Sequence, residues 1–189
     1  VCTIADLGIA NKNSTHQAVF SGTLEAIAKA ESQFRQKGIN FKRLPVSAAF
    51  HSPLMQTAFK PFQKVLQKTN FHPTSVPVYA NTTANPYPQK TEDIQWLLAQ
   101  QTPSAVEFAS EIKNLYESGV RTFLEIGPKS VLTGLIESIC PEKDVTALAL
   151  DASGGRRFGM VDLARTLCLL ASQGFPLKLE CWEDTVSNI

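Results

Sequence analysis

The sequence predicts an α/β fold in which a small β-β-α-β element precedes a run of alternating helices and strands. Three observations carry this expectation. Short, nearly apolar segments such as "VPVYAN", "TFLEIG" and "VTALAL" have the length and composition of buried parallel strands. Amphipathic helical stretches separate them, an order that implies crossover connections. The first 46 residues instead set two strands before a helix, which makes them an element of their own.

Each element follows from local chemistry. Residues 3–10 and 17–22 read as strands joined by the polar turn "NKNST". A helix over 23–37 places Leu24, Ile27, Ala28 and Phe34 on one side, and Gly38 closes it. "NFKRLPVS" (40–47) completes three-quarters of a split βαβ sandwich, with its first strand and helix missing. A helix over 53–68 starts at Ser52-Pro53, repeats Leu54, Ala58, Phe62 and Val65, and is kinked or ended by Pro61. A strand over 76–81, a helix over 92–101 and a helix over 105–119 follow. The latter carries Val106, Ala109, Ile112 and Tyr116 on its stripe and stops at Gly119. Strand 122–127, helix 130–140 and strand 145–150 make the next unit, and Pro141 ends its helix. "DASGGRR" (151–157) reads as an exposed loop or linker. The last helix, 159–173, buries Met160, Leu163, Ala164, Leu167 and Leu170, and an extended tail runs over 176–184.

Composition narrows the function classes. The 189 residues are 43% hydrophobic and carry a formal net charge of +1. That balance argues against a nucleic-acid partner, and no arginine-rich helix argues for a membrane surface. No apolar run reaches bilayer length, and no signal-like segment opens the chain. Cys2, Cys140, Cys168 and Cys181 are spaced for neither a metal nor a disulfide framework, which implies reduced thiols and a cytoplasmic location. Cys140 and Cys168 fall on apolar helix positions and read as packing residues. The chain opens on Val1 in strand-like sequence, so an incomplete domain is expected.

The stretch "SAAFHSPLM" (47–55) places His51 immediately before a helix start. Two roles fit. The imidazole plugs a loop end or caps a carbonyl, or the positive end of the helix holds it neutral so that it can take a proton. His16, in a polar turn, and His72, before Pro73, read as non-catalytic.

"IANKNSTHQAVFSG", "SAAFHSPLM", "VPVYANTT" and "FLEIGPKSVLTGLI", in this order and spacing, resemble the C-terminal half of malonyl-type acyltransferases over residues 1–150. The resemblance implies the C-terminal part of an α/β-hydrolase-like acyltransferase core with a partial ferredoxin-like subdomain. The expected division is a ferredoxin-like part (1–46), the core (47–150) and a post-acyltransferase linker (151–189). His51 matches the general base, and Gln101 matches the residue whose backbone carbonyl orients it. Asn11 and Asn13 match polar residues lining the acyl pocket; read locally, they are turn formers. Phe50 matches the position that favours malonyl over methylmalonyl units, though it also reads as a core residue. The selectivity motif departs at Ala48, where histidine is frequent. "EIGPKSVL" is architectural: Gly127-Pro128 makes a tight turn, Glu125 pairs with a cation or faces water, and Lys129 faces water.

The G-H-S-x-G nucleophile elbow, the clamping arginine and the glutamine-rich N-terminal motif of such enzymes do not occur in this chain. Alone it is therefore expected to be inactive. The resemblance implies malonyl-CoA as substrate, no bound cofactor and no metal, with phosphopantetheine carried by an acyl carrier protein partner. The tail from 158 resembles the linker of modular synthases, which implies polyketide or polyunsaturated fatty-acid biosynthesis beside domains such as a ketosynthase. An acyl hydrolase on the same fold, or a non-catalytic docking domain, are the alternatives.

Overall fold

The computed structural model describes residues 4–46, 48–141 and 144–178. The chain divides into two compact units, meeting between Gly119 and Val120.

In the first unit, β1 (Leu7–Lys12) pairs antiparallel with β2 (Ala18–Gly22), with a bulge between Ile9 and Asn11. The expected first strand is thus shifted, and Asn11 and Lys12 belong to it rather than to the turn. The cause is tertiary. The free edge of β1 is held by Val106, whose N–H donates to the Ala10 carbonyl at 2.8 Å while Lys12 N–H donates to the Val106 carbonyl at 2.9 Å. A paired strand edge outweighs the turn preference of asparagine.

Helix α1 (Leu24–Gln36) is capped by Thr23, whose hydroxyl accepts from Ala26 N–H at 3.2 Å. It ends before Gly38, whose φ of +65° suits glycine. Phe34 packs between Phe20 and Phe41 at 5.6 and 5.9 Å between centroids. Leu24 does not join the buried side: in the first turn it is 83% exposed, and Ala26 and Ala30 are buried instead. No strand forms over 40–46, where Pro45 lacks a ladder donor and Arg43 is drawn to Glu31 at 2.8 Å; residue 47 lies outside the described residues.

A 3₁₀ turn (Pro53–Met55) leads into α2 (Gln56–Leu66). Pro61 lies inside α2 without ending it. Leu66 is the buried position on α2, whereas Val65 is 61% exposed. α2 packs on α3 (Thr91–Gln100), and buried Gln95 of α3 donates to the Leu66 and Thr69 carbonyls at 3.0 and 3.4 Å. These bonds tie the turn after α2 to α3; the Leu66 carbonyl also accepts from Thr69 N–H at 2.9 Å.

The apolar run 76–81 does not form a parallel strand. Only β3 (Tyr79–Ala80) pairs, antiparallel to β4 (Asn85–Pro86), because the chain reverses through Ala84 at φ +57°. Val76 and Val78 stay on the surface. α4 (Phe108–Glu117) starts later than expected, since Val106 is engaged with β1, and stops at Gly119 (φ +102°).

The second unit is a β-α-β layer, as the alternation predicts. β5 (Thr122–Glu125) and β6 (Thr146–Ala149) are parallel, in register from Thr122–Thr146 to Glu125–Ala149, and α5 (Val131–Ile139) connects them. α6 (Gly159–Ser172) follows. Among the described residues Glu125 pairs with no cation, and it does not face water. It is 9% exposed and accepts from Leu132 N–H, Thr133 N–H and the Thr133 hydroxyl at 3.1, 2.8 and 2.8 Å, capping α5. Burial alone would push this carboxyl up, but the bonds from Thr133 and Leu132 hold it below its ordinary 4.5. With the lower pKa in the folded state, its contribution is complete above pH 4.5 and fades as pH falls through the folded value. Glu125→Gln is expected to lose about 1 kcal/mol near neutral pH. Denaturant titrations should show the gap to wild type closing in acid, and a constant gap would mean the charge contributes nothing.

The loop 151–157 is anchored rather than free. The Asp151 carboxylate accepts from Lys129 and Gly155 amides at 2.8 and 2.9 Å. Ser153 is buried, and both its hydroxyl and its N–H donate to Asp162 of α6. The buried positions of α6 are accordingly polar: Asp162 is 1% exposed and Thr166 donates to the Ala149 carbonyl at 3.0 Å. Met160, expected inside, is 45% exposed. Cys140 is buried and Cys168 exposed, which corrects the packing role expected of Cys168. Cys2, Cys181 and the tail beyond residue 178 lie outside the described residues. Among the described residues no helix is long and apolar enough to cross a membrane.

Candidate active site

His51 lies in the loop before the 3₁₀ turn, half-buried, with φ at +59°. That backbone region is sparsely occupied by residues other than glycine and asparagine, so something must hold it there. Three hydrogen bonds do. His51 N–H donates to the Thr102 carbonyl at 3.0 Å, the ring Nδ1 lies 3.0 Å from the Gln101 carbonyl, and the Ser52 hydroxyl donates to the Ala49 carbonyl at 2.7 Å. The last contact closes the turn across Phe50 and His51. Ser52 therefore does not cap the following helix through its side chain, as the sequence suggested.

The carbonyls of Gln101 and Thr102 are available because Gln101 is the C-cap of α3. The last carbonyls of a helix lack donors from within it. The carbonyl of Gln101, at the C-terminal end of α3, thus meets the imidazole directly. This contact fixes the tautomer of the ring. A carbonyl oxygen only accepts, so Nδ1 carries the hydrogen and the neutral ring keeps its lone pair on Nε2.

The segment 101–107 reaches further. Beyond the two carbonyls given to His51, Val106 pairs with β1 beside Asn11, and Glu107 N–H donates to the Asn81 carbonyl at 2.7 Å. Lys12 adds an ion pair to Glu107 at 2.5 Å. One short stretch therefore ties together three of the sequence motifs. Sequence reasoning singled out Gln101 in it but missed Thr102, Val106 and Glu107, since backbone pairing leaves no signature in residue type.

The remaining predicted positions are placed as follows. Phe50 is 51% exposed beside His51, so it is not a core residue. Asn11 is a strand residue on β1, half-buried. Asn13 closes the β1–β2 turn, its N–H donating to the Gln17 carbonyl at 3.1 Å and its amide to the Gln17 side chain at 3.4 Å. The hydrogen bonds of Asn13 thus run within the turn. His16 and His72 are exposed. A cavity of about 310 Å³ between α5, β6 and α6, lined by residues including Thr133, Glu137, Asp162 and Arg165, contains none of the predicted site residues. Among the described residues no three His, Cys, Asp or Glu side chains gather as metal ligands.

Comparison with known proteins gives this geometry a family. The polyketide biosynthesis malonyl CoA-acyl carrier protein transacylase BaeC of Bacillus velezensis is 42% identical over 142 residues, 74% of this chain and 48% of the relative. The malonyl CoA-acyl carrier protein transacylase from Clostridium perfringens superposes with a TM-score of 0.77 at 32% identity, over 89% of this chain and 50% of that one. The acyltransferase domain from the second module of the salinomycin polyketide synthase gives 0.82 at 25% identity, over 97% of this chain and 43% of that one. The chain spans about half the length, or less, of these relatives. The acyl transferase domain family matches residues 2–151, which take in β1, the His51 loop, the 101–107 segment and the β5-α5-β6 unit, and the chain belongs to that family.

Proposed function

We propose that this chain is the base-bearing C-terminal part of an acyltransferase that moves a malonyl group from coenzyme A to an acyl carrier protein through a serine ester. The observation that carries this reading is the 3.0 Å contact between His51 Nδ1 and the Gln101 carbonyl. It leaves Nε2 as the acceptor for a hydroxyl proton. A serine supplied by polypeptide outside this chain gives that proton to Nε2 as its oxygen attacks the malonyl thioester. The tetrahedral adduct collapses, the imidazolium returns the proton to the departing coenzyme A sulfur, and the malonyl-serine ester remains. In the second half-reaction the phosphopantetheine thiol of the carrier gives its proton to His51 as sulfur attacks the ester. Collapse returns the proton to the serine oxygen.

The proposed layout keeps residues 1–46 as part of a ferredoxin-like subdomain, 47–150 as part of an α/β-hydrolase-like core and 151–189 as a post-acyltransferase linker. Exposed apolar side chains support the view that each unit has partners elsewhere in a complete enzyme: Val76 and Val78 in the first, Ile126 and Val131 in the second. The salinomycin synthase domain aligns with 97% of this chain and the Clostridium enzyme with 89%, which favours a multidomain cytoplasmic synthase with neighbours such as a ketosynthase. Asn11 and Asn13 are proposed to border the acyl pocket, and Phe50 to narrow it against an α-methyl branch. Phe50→Ser is expected to raise the methylmalonyl-to-malonyl ratio of kcat/KM by about tenfold or more, the scale of one methyl group in an apolar pocket. Competition between the two coenzyme A esters reads it, and an unchanged ratio removes Phe50 from the pocket.

The test of the main reading joins this chain to the N-terminal half of BaeC, which would supply the nucleophile, and follows labelled malonyl onto carrier protein. Loading by the joined protein but not by its His51 variants supports the assignment; full loading without His51 refutes it.

A further inference from the structure

The charges of the chain are segregated along it. Residues 32–91 hold eight of its 18 Lys and Arg and none of its 17 Asp and Glu, and His51 lies within this run. The net charge of +1 therefore conceals a basic stretch around the candidate base and an acidic remainder.

Structure shows which of these cations stand open. Arg43 pairs with Glu31 at 2.8 Å, and Arg35 lies over the Phe41 ring at 5.5 Å. α2 differs. It contains no carboxylate, and Lys60 and Lys64 stand one turn apart on it, both exposed, with Lys68 exposed just beyond its end. On α1 the same spacing pairs Lys29 with Glu25 at 2.7 Å. Like charges at that spacing repel and weaken a helix. Among the described residues no ion pair relieves Lys60, Lys64 or Lys68. A single 3₁₀ turn separates His51 from α2, and Lys60 and Lys64 lie about 6 and 12 Å along the axis from its first residue.

We propose that the lysine row of α2 is the docking face for the acidic surface of a carrier protein that brings its thiol to His51. The identity of the partner rests on the function proposed above; the charge of the surface does not. An extended row on a convex helix suits a folded acidic surface, whereas the phosphates of coenzyme A call for a cleft. Attraction of this kind speeds encounter and fixes orientation, and it weakens as salt rises.

The experiment is a calorimetric titration of the 189-residue chain with a purified acidic acyl carrier protein at low and high salt. Wild type is expected to bind at low salt and to lose affinity at high salt. The double variant K60E/K64E is expected to bind about tenfold more weakly or worse, and K60A/K64A to fall between them. Lys113→Glu, a charge reversal on the exposed side of α4, is expected to match wild type. Equal affinity of wild type and K60E/K64E, equal loss in Lys113→Glu, or no binding by wild type overturns the proposal. Loss of malonyl-CoA binding in K60E/K64E also overturns it, in favour of a coenzyme phosphate site. The titration reads association without chemistry, so acyl loading that survives His51 replacement would sink the proposed reaction and leave this result standing.

Discussion

Replacing His51 with asparagine is expected to lower acyl transfer by the joined enzyme by about 10²–10⁴-fold, the range attributable to a positioned general base. Asparagine is a sharper test than alanine. The position has φ at +59°, which asparagine accepts readily and alanine does not. Its side-chain amide can also donate towards the Gln101 carbonyl, so the loop keeps a partner there while losing Nε2. Both variants should be inactive, but only His51→Ala should also melt earlier. Labelled malonyl transfer and thermal unfolding, measured on the same samples, separate the two effects. An asparagine variant that keeps a tenth or more of the wild-type rate would remove His51 from the reaction.

The largest expected loss of stability lies in the second unit. Asp162 is 1% exposed and accepts from the Ser153 hydroxyl and N–H, with Arg157 at 3.4 Å. Asp162→Ala strands both Ser153 donors in a buried place and empties the space beneath the 151–157 loop. A buried donor without a partner costs about 1–3 kcal/mol, so the variant is expected to lose about 2–4 kcal/mol. Ser153→Ala removes only the hydroxyl donor, keeps the N–H of residue 153 on Asp162 and should lose less. Urea denaturation followed by circular dichroism gives both values. If Asp162→Ala lost under about 1 kcal/mol, the carboxylate would be a tolerated burial and not the anchor of that loop.

What sequence could disclose divides along local and non-local lines. α1, α3, and the β5-α5-β6 unit follow from periodicity and turn residues, and they form close to where the pattern puts them. The failures share a cause. Asn11 and Lys12 look like a turn, yet Val106, distant in sequence, extends the strand through them. The run 76–81 is apolar enough for a central strand, but a reversal at Ala84 leaves only two of its residues paired. The buried stripe of α6 is polar because Asp162 and Thr166 answer groups on the loop and on β6, which no hydropathy pattern encodes. In the candidate site, resemblance pointed to His51 and Gln101, and the structure shows them in contact at 3.0 Å. The left-handed backbone, the Ser52 brace and the second carbonyl from Thr102 were not legible, since each depends on main-chain groups that any residue supplies.

That the group steadying His51 belongs to the main chain has consequences for both chemistry and inheritance. An amide oxygen has no proton to gain across the physiological range, so acidification cannot switch it off as it would a carboxylate. Nor can a codon change delete it: almost any side chain at 101 would leave the same oxygen in place, provided α3 still ends there. Drift at this position should therefore be tolerated, and lesions that shift the end of α3, such as a one-residue insertion between Thr91 and Gln101, should be the ones that disable the site.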